Sequence, residues 1–229
     1  MLALLDSHPM IGAIPHETGV FHRIEDDEEL LRTIESWPEK RGISAPILAE
    51  KTPVHARYLE RLFRLLPHDR VILMIRDGRD SAVSEAKRLG DFETAVKAWA
   101  RTLRLALPFQ KDSRVLVVKY EELVLRPEDV LREICEFLEI PFREEMLRHS
   151  EVERKWWDTT VRPASEDAPL VGENHKRNRN WQINQPLYNA AGRWKDEMTP
   201  QEAEIFDRIA GDILIELSYA KNRDWKALL

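Results

Sequence analysis

The sequence predicts an α/β fold: a three-layer α/β/α sandwich around a mainly parallel sheet. Three observations predict it. Four short apolar runs, at 11–14, 46–49, 71–75 and 115–118, are separated by longer stretches with helical periodicity. The last two runs are continuous rather than alternating, as expected of strands buried on both faces. Strands alternating with helices build layered α/β structures rather than segregated ones. With 229 residues, 43% of them hydrophobic, the chain supplies one buried core, and a single domain over 1–229 is expected.

Between and after the strands, helices are expected over 26–37, 56–66, 80–89, 92–107, 127–138 and 200–217. Asp77-Gly78 offers a turn and a cap before the third of these, and Gly90 a stop after it. Pro127 and Pro200 suit first-turn positions. The acids behind them, Glu128 and Asp129, then Glu202 and Glu204, sit near the positive helix end. The lone cysteine, Cys135, falls on the apolar side of the 127–138 helix and reads as a core thiol. From 152 to 184 periodicity fades into a long polar loop with partial helix, a length that in compact domains often carries function.

Composition excludes several classes. No apolar run approaches the roughly 20 residues of a membrane helix, and no export signal is visible at the start. One cysteine permits no intrachain disulfide, which suits a reducing cytoplasm. A net charge of −6 argues against nucleic acid as a partner, so any anionic ligand must be held by local charge. The seven histidines include no pair at tight ligand spacing on a helix, so no metal is expected.

Local charge is densest in Arg76-Asp77-Gly78-Arg79-Asp80-Ser81-Ala82-Val83-Ser84, directly after the 71–75 strand. Ligands of open α/β sheets collect at the carboxyl ends of strands. Ser84 and Arg88, four apart, share a helix face. Arg76, Ser84 and Arg88 together offer two guanidinium groups and a neutral donor to one phosphate dianion. The plainer reading pairs Arg76, Arg79 and Arg88 with Asp77, Asp80 and Glu85 at the surface, where ion pairs are weak. A second basic stretch, His175-Lys176-Arg177-Asn178-Arg179-Asn180-Trp181, is either a cover over an anion or a solvated loop.

Glu50-Lys51-Thr52-Pro53, then the strand 71–75 followed by Arg76-Asp77-Gly78-Arg79-Asp80 and Ser84, resembles the 3′-phosphate-binding half of sulfotransferases, above all the tyrosylprotein sulfotransferase branch. Leu4-Leu5-Asp6-Ser7-His8-Pro9, His16-Glu17-Thr18, Val117-Val118-Lys119-Tyr120-Glu121-Glu122-Leu123, Gln182-Ile183-Asn184-Gln185-Pro186 and Gly192-Arg193-Trp194 match further segments, in order along nearly the whole chain. The resemblance implies a fold like that of P-loop nucleoside triphosphate hydrolases and a donor, 3′-phosphoadenosine 5′-phosphosulfate (PAPS), that leaves as the bisphosphate (PAP). It implies that Arg76, Ser84 and Arg88 hold the 3′-phosphate, that Tyr120 lies near the nucleoside and that Arg193 closes over the phosphates. It makes Glu17 the candidate general base, with His16 the adjacent alternative, and places Lys51 beside the transferring sulfuryl group. The acceptor, a hydroxyl or amine on a small molecule, glycan or peptide, stays open; Trp156, Trp157 and Trp181 are candidates to shape its cleft.

Such enzymes also carry a Gly- and Ser/Thr-containing loop between the first strand and first helix that cradles the 5′-phosphosulfate. No such loop is present: the eight glycines are all isolated and no G-x-x-x-x-G-K-[ST] occurs. The expectation is therefore a chain lacking that loop and the family's first strand. Because a missing central strand exceeds what a net stability of ~5–15 kcal/mol can absorb, an internal start of a longer enzyme is favoured over a degenerate relative. Two other functions remain open: a non-catalytic binder of adenosine 3′,5′-bisphosphate or of a partner, and a P-loop kinase or hydrolase, for which no Walker lysine is visible.

Overall fold

In the computed structural model, residues 1–158, 160–162 and 172–228 are described. The chain begins with helix α1 (Leu2–Leu5), strand β1 (Ile11–Ala13) and three short helices, α2 (Val20–Arg23), α3 (Asp27–Glu35) and α4 (Trp37–Arg41). Strand β2 (Ile47–Ala49), a 3-10 turn over Pro53–Arg57 and α5 (Leu59–Leu65) follow. The central part runs β3 (Val71–Ile75), α6 (Gly78–Leu89), α7 (Phe92–Ala106), β4 (Val115–Lys119), α8 (Tyr120–Leu125) and α9 (Pro127–Phe137). Helices α10 (Gly172–Gln182), α11 (Trp194–Glu197) and α12 (Pro200–Glu216) complete it.

All strand pairing is parallel, but it forms two pairs. β1 lies beside β2 in the register Ile11↔Ile47, and β3 beside β4 in the register Val71↔Val115. The expected sheet is therefore two ladders, with no pairing between them among the described residues. Both ladders nevertheless feed one core. Ile11, Ile47, Ala49, Ile72, Met74, Leu116 and Val118 pack with Leu4 and Leu5 of α1 and with Val130, Leu131 and Ile134 of α9. Alternate residues of β3 and β4 face the other way, against α7 and α12, where Phe206 and Leu214 are fully buried. Those two faces make the three layers. Cys135 lies in the α9 core, as expected, and burial pushes its thiol pKa up. Among the described residues no helix is long and apolar enough to cross a membrane.

Local sequence explains the boundaries that matter. The Asp77 side chain caps α6 by accepting from the Arg79 amide, and Gly90 ends it with φ +74°, a conformation that suits glycine. Thr199 and Glu202 form a capping box ahead of Pro200 at the start of α12. The expected 26–37 helix is two: α3 ends at Glu35 with Ser36 as its cap, and Pro38, which has no amide hydrogen to donate back to Ile34, sits in the first turn of α4. The expected 56–66 helix begins three residues late, because the turn that starts at Pro53 runs on to Arg57. The 152–184 stretch contains α10; residues 159 and 163–171 of it lie outside those described.

Candidate active site

Four of the candidate residues follow the carboxyl ends of strands: Glu17 after β1, Lys51 after β2, Arg76 after β3 and Tyr120 after β4; Ser84 and Arg88 lie on α6, and Arg193 precedes α11. Parallel pairing of β1 and β2 brings the first two loops together, and Lys51 Nζ donates directly to Glu17 Oε1. Arg179 of α10 donates to the same oxygen at 3.0 Å. Burial works to raise the Glu17 pKa, but the Lys51 hydrogen bond and the charges of Lys51 and Arg179 outweigh it and hold the carboxyl below its ordinary range. Burial, then Arg179, depress the Lys51 pKa against the pull of Glu17.

Glu50 organises both loops from beneath. Its Oε1 accepts from the Thr18 amide at 3.1 Å, the Thr18 hydroxyl at 2.9 Å and the Thr52 hydroxyl, and its Oε2 accepts from His55 at 3.1 Å. Thr52 in turn accepts from the Gly19 amide at 3.1 Å. His16 points elsewhere: its ring lies against the Arg41 guanidinium at 3.1 and 3.3 Å, and burial and Arg41 lower its pKa.

The second cluster surrounds Arg76. Its guanidinium lies 4.9 Å from the Tyr120 ring and Nη2 donates to the Ala190 carbonyl at 2.6 Å, while its buried Nε has no partner among the described residues. Tyr120 donates to the Tyr188 carbonyl at 2.7 Å and accepts from the Ala190 amide at 3.3 Å. Asp80, 2% exposed, accepts from the amides of Gly192 (2.8 Å) and Trp194 (2.9 Å) and lies 3.7 Å from Arg76. The 188–194 segment is thus strapped across the tips of β3 and β4. Arg193 itself turns to Glu197 at 2.8 Å. Ser84 is exposed, and Arg88 is engaged by Glu85.

Of the surface ion pairs in the plainer reading, only Arg88–Glu85 lies at the surface; Arg79–Asp77 and Arg76–Asp80 form with buried carboxylates. Arg79, 4% exposed, forks onto Asp77 and lies under Trp194 (3.9 Å) and Trp225 (5.1 Å), so it belongs to the core rather than to a ligand. Arg88 is a surface residue whose pKa the Glu85 hydrogen bond raises, with a smaller contribution in the same direction from the charge of Glu17. The orphaned Arg76 Nε–H is the observation that fits an anion, since buried donors without partners are uncommon. Residues overlooked in the sequence are Glu50, Asp80 and Arg179. The first two stand inside the runs that drew attention, and the third inside the basic stretch 175–181.

Paired parallel strands, helices on both faces and charged groups at the strand tips define a layered α/β protein. The Sulfotransferase family profile matches residues 5–144, and the chain belongs to that family. It is 32% identical over 188 residues to protein-tyrosine sulfotransferase 1 of Homo sapiens, covering 66% of this chain and 50% of that protein. It is 27% identical over 187 residues to the protein-tyrosine sulfotransferase of Drosophila melanogaster, covering 66% and 37%. The chain thus spans half or less of these curated relatives. Its fold is similar to that of the sulfotransferase domain from the curacin biosynthetic pathway, with a TM-score of 0.57 at 22% identity, over 80% of this chain and 67% of that one.

Proposed function

We propose that this chain binds the 3′-phosphate side of PAPS and carries the acceptor-side catalytic pair for sulfuryl transfer to a hydroxyl, a tyrosyl phenol being the first acceptor class to test. The Glu17–Lys51 contact carries the reading: an anion and a cation, far apart in sequence, meet where two adjacent parallel strands end. The donor supplies an activated sulfuryl group on a phosphate leaving group. Glu17 Oε2, which has no partner among the described residues, is available to take the acceptor proton. Lys51 offers a fixed charge to the oxygen on which negative charge grows. Arg76, through its free Nε–H, and the Ser84 hydroxyl and Arg88 on the α6 face hold the 3′-phosphate, with Tyr120 flanking the nucleoside and Arg193 closing from the strap. His16, engaged by Arg41, is assigned no proton transfer. The names of the relatives support a protein or peptide acceptor, and the single buried cysteine supports a cytoplasmic setting.

Transfer of a radiolabelled sulfuryl group from PAPS to a tyrosine-containing peptide tests the reading. The parent chain is expected to label the peptide, and Glu17→Gln and Lys51→Ala to lose on the order of 10²–10⁴-fold in rate. Binding of PAP without any labelling would instead assign the chain a non-catalytic role.

A further inference from the structure

α10 reaches Glu17 from 162 residues further along the chain, and hydrophobic burial does not explain how it stays there. Its only buried residue is Asn180. That side chain accepts from the amides of Trp156 (2.8 Å) and Trp157 (3.2 Å) and donates to the Thr160 carbonyl at 2.7 Å. Asn184, just past the helix, accepts from the Arg154 amide at 2.6 Å and donates to the Arg154 and Asn180 carbonyls. The Arg154 guanidinium, 6% exposed, continues the chain to Asp6 at 3.0 Å and Ser7 at 2.8 Å, in the turn before β1. A satisfied buried polar network of this kind fixes geometry more than it adds stability. What it fixes is Arg179, whose guanidinium stands 5.4 Å from the Trp157 ring and 3.0 Å from Glu17.

We propose that Arg179 is a catalytic residue on the acceptor side, holding Glu17 Oε1 together with Lys51 and presenting its remaining N–H groups to the transferring sulfuryl oxygens. The proposal rests on the sulfuryl-transfer reading above. A lysine is a point charge that must choose between Glu17 and the sulfuryl group, whereas a guanidinium carries five donors in a rigid fork and serves both at once. With Oε1 held, Oε2 faces the acceptor. In the step itself the acceptor O–H bond breaks and its proton passes to Glu17 Oε2. The acceptor oxygen bonds sulfur as the bond from sulfur to the bridging phosphate oxygen breaks, and that electron pair leaves with the phosphate.

The groups acting on Glu17 are Lys51 and Glu50 beyond β2, Arg179 and His175 on α10, and Arg88 on α6, with Glu85 beside Arg88. Two measurements on Arg179→Ala, Arg179→Lys and the control Lys176→Ala test the proposal. Lys176 sits on the same helix but pairs with Glu173. In NMR of carboxyl-labelled glutamate, Arg179→Ala is expected to move the Glu17 titration to higher pH, with Lys at 179 restoring part of it and Lys176→Ala moving nothing. Peptide labelling is expected to fall about 10²-fold in kcat for Arg179→Ala. An unmoved Glu17 titration, or labelling at the parent rate, overturns the proposal. A parent chain that binds PAP but labels no peptide overturns the transfer reading itself and is seen before any variant is made.

Discussion

Glu50 is the residue whose loss should be felt most widely. Burial alone would raise its pKa, but the hydrogen bonds from His55 and Thr52, the His55 charge and the Thr18 amide bring it down to about 2 from the ordinary 4.5. A folded pKa below the unfolded one means stabilisation that is complete above about 4.5 and lost as pH falls toward 2. At ~1.4 kcal/mol per pKa unit, the ionised carboxylate contributes on the order of 3 kcal/mol at neutral pH. The side chain is 16% exposed, so solvent screening takes little from that figure. Glu50→Gln removes the charge while keeping the shape. Urea unfolding followed by tryptophan fluorescence at pH 7 should show a loss of about 3 kcal/mol, a drop in Tm of roughly 6–12 °C for a chain of this size. Repeated at lower pH, the gap between parent and variant should narrow below about 4.5 as the parent loses its advantage. A gap that stays constant down to pH 3 would refute the assignment of Glu50 as an ionised hub.

Gly78→Ala should destabilise by about 1–3 kcal/mol in thermal melts, because a Cβ there would come within 2.6 Å of the Trp99 ring; a parent-like Tm would show that the helices have room to spare. Asp80→Ala strands the amides of Gly192 and Trp194, at about 1–3 kcal/mol each, and should speed hydrogen exchange across 190–194; unchanged protection there would mean that the strap is held by something else. Arg79→Met leaves Asp77 as an unpaired buried charge and should cost about 3–5 kcal/mol, much of it recovered when Asp77→Asn is added; a double variant no better than the single would contradict the pairing.

The layered plan was legible because buried parallel strands leave continuous apolar runs, and β3 and β4 fall within a residue of their expected bounds. Helices with a strong apolar stripe, α7 and α9, were legible for the same reason. α10 was legible only as partial helix within a long loop: with only Asn180 buried it has no stripe, and its polar contacts reach from Thr160, 20 positions away, to Glu17, 162 positions away. In the site, the Arg76 run stood out as charge after a strand, whereas Lys51 was marked only by the family resemblance. The structure alone shows that Arg79 is a core residue, since Trp194 and Trp225 are more than a hundred positions further along the chain. Glu50 beside Lys51 reads as one more surface carboxylate until the pairing of β1 and β2 sets Thr18 over it.

The most direct test of the half-site is calorimetric titration of the chain with adenosine 3′,5′-bisphosphate and, separately, with adenosine 5′-monophosphate. The arrangement around the free Arg76 Nε–H predicts clear binding of the bisphosphate, a much weaker response to the monophosphate, and loss of the difference in Arg76→Ala. Equal binding of the two nucleotides, or a preference that survives Arg76→Ala, would contradict a 3′-phosphate site at the tip of β3.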